Sequence, residues 1–155
     1  MATKLQRELK QAKPFSGIEE EVILNVARTA EYFGSRLAGV LKSADLTPTQ
    51  YNALRILRGA GADGLTCGDI GERMVTKDSD VTRLLDRLER RALIRRERPE
   101  TNRRIVLTAI TADGLRLLAE LDAPLEEAQR KLLAHMGKQK LKNLKDLLEA
   151  CRLDR

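Results

Sequence analysis

Aromatic residues are scarce in this chain. Phe15, Tyr32, Phe33 and Tyr51 are the only four among 155 residues, and there is no tryptophan. Single-strand and RNA-binding modules stack bases on aromatic rings, so everything beyond Tyr51 lacks that platform. Histidine occurs once, as His135, with no second ligand or nucleophile at a motif spacing, which argues against catalysis and against a metal site. The glycine-rich GAGADG at 59–64 follows no strand and lacks the lysine of a phosphate loop, so no cofactor is expected. Two cysteines without CxxC or metal spacing, Cys67 and Cys151, make a reducing cytoplasm the default compartment. No apolar run approaches the roughly 20 residues that span a bilayer. The opening MATKLQRELKQAKPFSG has charge but no apolar core of a secretory signal.

Hydrophobic residues make up 42% and charged ones 34%, which suits a folded chain of one domain. The formal charge of +6 is unevenly spread. Residues 81–104 carry nine arginines against four acids, and RRERPETNRR at 95–104 alone holds five of them. The segment 1–13 is basic as well, with Lys4, Arg7, Lys10 and Lys13 against Glu8. A concentrated cationic patch predicts a polyanionic partner, nucleic acid first and an anionic surface second. With no aromatics in the block, groove binding to a duplex fits better than single-strand binding.

Capping signals divide the chain. Ser16 with Glu19 is a capping-box pattern that opens a long helix, with Ile18, Val22, Val26, Ala30, Phe33, Leu37 and Leu41 at three-to-four-residue spacing. Thr47-Pro-Thr-Gln50 opens a second, with proline at its first helical position. Thr66 and Asp69 open a short third. The fourth, 79–92, carries an apolar stripe of Val81, Leu84, Leu85, Leu88 and Ala92, and sets Arg83, Arg87 and Arg90 on another face. That face read blandly is a solvated one, with Asp86 and Arg90 as an i,i+4 pair.

Two β-leaning runs follow, Ile94–Arg98 and Arg104–Ile110, with PETN as the turn between them. Thr111 starts a helix through Leu115, Leu118, Leu121 and Leu125, which Pro124 kinks or restarts. A last helix, about 138–153, lines up Leu141, Leu144, Leu147, Leu148 and Cys151 on one side, so Cys151 is expected to be buried. Two short helices joined by a turn, the second amphipathic and basic, form a helix-turn-helix, and the arginine-bearing hairpin adds a wing. The fold class expected is mainly α, of the α+β kind.

The segment IGERMVTKDSDVTRLLDRLERRALIRRERPETNRRIVLTAITADG resembles the signature of MarR-family transcription regulators. The resemblance extends over about 18–153. It implies a winged helix-turn-helix over about 47–110, and a helical dimerisation layer from about 16–45 and 112–153 that makes a homodimer. A two-fold dimer implies a palindromic operator in double-stranded DNA. Ser79, Asp80, Thr82 and Arg83 match the start of the family's recognition helix. Lys77 and Arg87 are phosphate contacts in that reading, Arg104 the minor-groove arginine, and Arg98 and Arg103 its phosphate anchors. The chain departs from the family at Asn102, where a carboxylate usually braces the wing arginine, and at Ala92 and Val75, where glycines are common.

The same resemblance implies a repressor released by a small molecule, often an aromatic acid or phenol. Arg28, Tyr32, Phe33, Arg36 and Tyr51 are the candidate contacts. Other members sense oxidants through cysteine, and Cys67 would stand in the first turn of the third helix, where the helix dipole favours a thiolate. A non-catalytic module for a protein or an anionic surface is the reading from another class.

Overall fold

The computed structural model describes residues 2–77 and 80–152. The chain divides into two compact units, 1–36 and 37–155. The first holds α1 (Lys4–Leu9) and most of α2 (Ile18–Leu41). Thr3 and Gln6 cap α1 reciprocally: the Gln6 N–H donates to Thr3 Oγ1 (3.3 Å), and the Thr3 N–H donates to Gln6 Oε1 (2.8 Å). The entry of α2 corrects the expected Ser16–Glu19 box. Glu20 is the partner, and its carboxylate accepts from the Ser16 N–H (2.6 Å) and hydroxyl (2.8 Å). Those two bonds hold the Glu20 carboxyl below the usual carboxylate range.

In the second unit, α3 (Pro48–Ala60) starts as expected. The Thr47 N–H donates to Gln50 Oε1 (2.9 Å), the Gln50 N–H donates to Thr47 Oγ1 (3.2 Å), and proline takes the first position. Thr66 and Asp69 cap α4 (Cys67–Arg73) in the same way. Bonds from the Thr66 hydroxyl and N–H lower the Asp69 pKa. The fourth helix is shorter than expected: α5 is Val81–Arg90, capped by Asp80, whose Oδ1 accepts from the Arg83 N–H (3.2 Å).

Strands β1 (Ile94–Glu97) and β2 (Leu107–Ile110) pair antiparallel, from Ile94 opposite Ile110 to Glu97 opposite Leu107. Both are shorter than the expected runs, because consecutive turns consume the residues between them. The Asn102 N–H donates to the Pro99 carbonyl (3.1 Å) and the Ile105 N–H to the Asn102 carbonyl (3.2 Å). Leu65, which has no strand periodicity around it, exchanges two backbone bonds with Thr108 (2.9 and 2.8 Å) and adds an isolated bridge to β2.

Helix α6 (Ala112–Leu133), capped by Thr111, runs on through Pro124 without restarting. Pro124 and Glu120, whose carbonyl loses its intrahelical donor, are both exposed. A 3-10 turn, Ala134–Met136, holds His135 and leads through Gly137 (φ 72°) into α7 (Gly137–Ala150).

The core of the second unit sits between α3, α4, α5, β1 and α6. Leu54, Leu57, Ile70, Leu85, Leu88, Ile94, Leu118, Leu121 and Leu125 are all buried in one cluster. Val81 and Ala92, expected in the α5 stripe, are half-buried and exposed, and Leu115 at the head of the α6 stripe is exposed too. No residue of α7 is buried, and Cys151 lies exposed at its end, contrary to expectation. Among the described residues no helix is long and apolar enough to cross a membrane.

Candidate nucleic-acid interface

Helix α5 carries the site because its two faces differ in what they meet. Leu84, Leu85 and Leu88 enter the core, which leaves Thr82, Arg83, Arg87 and Arg90 exposed. Asp80 and Arg83 stand together at the N-terminal end, with Arg83 Nε 3.2 Å from Asp80 Oδ2. Thr82 Oγ1 lies 3.8 Å from Cys67 Sγ, so the first turn of α4 meets that end of α5. Lys77 is exposed before α5, and Ser79 lies outside the described residues.

The nine arginines of 81–104 divide by partner. Arg91 donates to the backbone carbonyls of Asp45 (2.5 Å) and Ala44 (2.9 Å), satisfying acceptors at the turn after α2. Arg96 reaches from β1 to α5, with Nη2 2.8 Å from Asp86 Oδ1 and Nη1 3.6 Å from Glu89 Oε2. Its Nη2 hydrogens are not aimed along the short contact, so the link is an ion pair rather than a hydrogen bond. Asp86 therefore serves Arg96 and not Arg90, and the i,i+4 pair expected within the helix is absent. Arg95 pairs with Glu97 on its own strand (3.0 Å). Arg87, Arg90, Arg103 and Arg104 have no acidic partner among the described residues, and all four are exposed.

The wing tip is held without a carboxylate. Asn102 Oδ1 accepts from the Arg104 N–H (3.1 Å), and Arg98 donates from Nη1 to the Arg103 carbonyl (3.2 Å). The neutral brace thus acts on the backbone of Arg104 and leaves its guanidinium free. Arg98, expected as a phosphate anchor, ties the tip together as well. Ala92, just before β1, adopts a left-handed conformation (φ 55°) that favours glycine. Its N–H donates to the Glu89 carbonyl (2.8 Å) and its carbonyl accepts from the Thr111 hydroxyl (2.7 Å), which fixes the bend from α5 into the wing. Val75 takes no positive φ; its N–H donates to Asn52 Oδ1 (2.9 Å).

Residues that the sequence patterns did not single out complete the surface. An open hollow of about 610 Å³ lies between the start of α3 and the C-terminal half of α5, lined by Lys42, Thr47, Gln50, Arg87, Arg90 and Arg91 among others. Thr47 and Gln50 were legible only as a cap. Arg96 had a signal in strand alternation, which puts it on the same side as Ile94, toward α5.

Of the candidate effector contacts, three come together within the first unit. The Tyr32 and Phe33 rings lie 5.8 Å apart, and the Arg36 guanidinium stands 5.4 Å from the Tyr32 centroid. Arg28 is exposed on the same helix and belongs to neither contact. In the second unit Tyr51 is matched by Arg55, 5.8 Å from its ring.

A basic amphipathic helix set on a three-helix core, with an arginine-tipped hairpin beside it, defines a winged helix-turn-helix DNA-binding regulator. The model of the MarR family matches residues 46–106. A solved MarR transcription factor from Planctomyces limnophilus is 33% identical, with a TM-score of 0.67, over 88% of this chain and 99% of that one. The chain belongs to the MarR family of transcription regulators. It is also 29% identical over 110 residues to the homoprotocatechuate degradative operon repressor of Escherichia coli, across 71% of this chain and 73% of that one. A solved mutant MarR from Escherichia coli, complexed with operator DNA, shares the fold at a TM-score of 0.78 and 20% identity, covering 89% of this chain and all of that one.

Proposed function

We propose that this chain acts as a single MarR-like domain that pairs with a second copy in the cytoplasm and represses by reading an inverted repeat in duplex DNA. The reading is non-catalytic. Its carrying observation is the outward set of Arg87, Arg90, Arg103 and Arg104, exposed and without acidic partners among the described residues. Contacts to bases and phosphates then fall to Thr82, Arg83 and Arg87 on α5, to its cap Asp80 and to Lys77 and Ser79 before it, and to Arg98, Arg103 and Arg104 in the wing. A homodimer is supported by the apolar stripe of α2, where Ile18, Val22, Ile23 and Val26 are all exposed in the single chain.

The test is selection of bound sequences from random duplex DNA, followed by affinity at two salt concentrations. An inverted repeat is expected, with log affinity falling by about 0.9 per phosphate neutralised as log salt rises. Recovery of no motif would overturn the reading and leave charge attraction alone.

A relative that represses a homoprotocatechuate degradative operon suggests an aromatic acid as the releasing ligand for this chain. Tyr32, Phe33 and Arg36 support that reading, since two rings and a guanidinium suit an aromatic carboxylate, with Arg28 on the same helix. Tyr51, paired with Arg55 in the second unit, is a separate candidate contact. Titration of the protein–operator complex with homoprotocatechuate should release the DNA, and Arg36→Ala should raise the concentration required. Complete indifference to aromatic acids would remove this part and leave the DNA reading intact.

A further inference from the structure

We infer that Arg83, held in place by Asp80, reads one guanine in each half of the operator, and that Asp80 is the positioning residue for that specificity. The inference rests on the DNA-reading function above and adds the base and the device. One carboxylate fixes Arg83 at both ends: Asp80 Oδ1 accepts from its backbone N–H (3.2 Å), and Oδ2 lies 3.2 Å from its Nε. Arginine has five N–H donors in a rigid fork. Nε is ion-paired with Asp80 rather than hydrogen-bonded to it, and the four donors on Nη1 and Nη2 have no protein partner among the described residues.

An end-on guanidinium fork at the N-terminal turn of a recognition helix matches guanine, whose O6 and N7 both accept in the major groove. A phosphate also accepts a fork, but the Asp80 carboxylate disfavours it. A negative charge within ion-pairing distance of the guanidinium repels an anion and tolerates a neutral acceptor pair. The four outward arginines differ here, because none of them has a carboxylate beside it among the described residues. Arg87, Arg90 and Arg103 suit the phosphate backbone, and Arg83 suits a base. Adenine offers N7 but a donor at N6, so it satisfies only half of the fork and repels the other half.

The experiment starts from the duplex recovered by selection with the wild-type protein. Each guanine is replaced in turn by 7-deazaguanine, which lacks N7, and by adenine, and binding is measured for wild type, Arg83→Lys, Asp80→Ser and Asp80→Asn. Serine at position 80 keeps the helix cap but is too short to hold Nε, so loss of the pair is separated from loss of the helix. In the wild type, one guanine per half-site should respond to both replacements, by about tenfold or more. Arg83→Lys and Asp80→Ser should flatten that response, and Asp80→Asn should keep part of it. The inference fails if a motif is recovered but no guanine responds, or if the response survives unchanged in Arg83→Lys and Asp80→Ser. Recovery of no motif at all would overturn both this inference and the function it rests on.

Discussion

Arg96 and Arg104 belong to the same basic run and the same hairpin, yet they face different partners. Arg96 turns inward from β1 to Asp86 and Glu89 of α5, and its side chain keeps only 25% of its surface exposed. Arg104 stands at the wing tip with its backbone braced by Asn102 and its guanidinium free. The difference follows from backbone geometry. Strand alternation puts Arg96 on the side of the buried Ile94, whereas the turns at 99–105 carry Arg104 past the end of the ladder. Net charge therefore overstates the outward-facing charge. Arg91 and Arg96 bond within the fold and Arg95 neutralises its own neighbour, which leaves Arg87, Arg90, Arg103 and Arg104 outward without an acidic partner among the described residues.

The widest separation between inward and outward positions is expected along α5. Leu88→Ala should destabilise the fold by about 2–5 kcal/mol in urea unfolding, because Leu88 is fully buried among core leucines. Its exposed neighbour Arg87, changed to alanine, should move stability by no more than about 0.5 kcal/mol and act on DNA affinity instead. Equal effects on unfolding would mean that the two faces of α5 are not as distinct as their burial indicates.

The two hairpin arginines make the next test, as a crossed pair. Arg96→Ala should cost about 1–2 kcal/mol of stability, between the values typical of exposed and buried ion pairs. Arg104→Ala should leave unfolding nearly unchanged and weaken operator binding about tenfold. If Arg96→Ala weakened DNA binding at full stability, Arg96 would belong with the outward set.

Much of this comparison was legible beforehand, and the exceptions have physical causes. Thr47 with Gln50, Thr66 with Asp69, and Thr111 are caps fixed by residues three apart, so short-range spacing identifies them. The capping-box spacing points to Glu19, but Glu20, adjacent and chemically identical, takes the Ser16 bonds. The Asp86–Arg90 pair gave way to a partner from another element, which helix spacing cannot anticipate. Leu65 bridges β2 as a single residue, too short to carry a period. Cys151 follows an apolar stripe that this chain alone does not cover. In the candidate interface, charge and element order point to a basic amphipathic helix followed by an arginine-rich hairpin, while the roles of Arg83 and Arg104 rest on the family resemblance. Strand alternation signals the inward turn of Arg96, whereas nothing in the spacing around Arg91 anticipates its bonds to the Ala44 and Asp45 carbonyls.

The bend between α5 and β1 offers a smaller effect of opposite sign. Ala92 holds φ 55°, where a Cβ is strained, and bonds at its N–H and carbonyl keep it there. Ala92→Gly should stabilise the protein by about 0.5–1 kcal/mol, the relief of strain exceeding the extra freedom given to the unfolded chain. Operator affinity should not fall, since the bend is retained. Destabilisation would show that the left-handed conformation is not held in solution.

The smallest effect expected is at Asp69, and its sign is fixed by the cap. Hydrogen bonds from the Thr66 hydroxyl and N–H favour the ionised carboxylate, so the folded protein holds this group below its unfolded value. The unfolded chain binds the proton more tightly, and the cap's contribution is complete above the unfolded pKa. It is lost as pH falls through the depressed folded value. Asp69→Asn keeps an acceptor for the Thr66 N–H but removes the charge, so its unfolding midpoint should fall less steeply on acidification than that of the wild type. Glu20 imposes the same sign from the first unit, and Glu20→Gln measured alongside separates the two contributions. Parallel acid limbs for Asp69→Asn and wild type would mean that Thr66 caps α4 without drawing on the charge. The helix that supports the N-terminal turn of α5 at Cys67 and Thr82 would then be indifferent to pH.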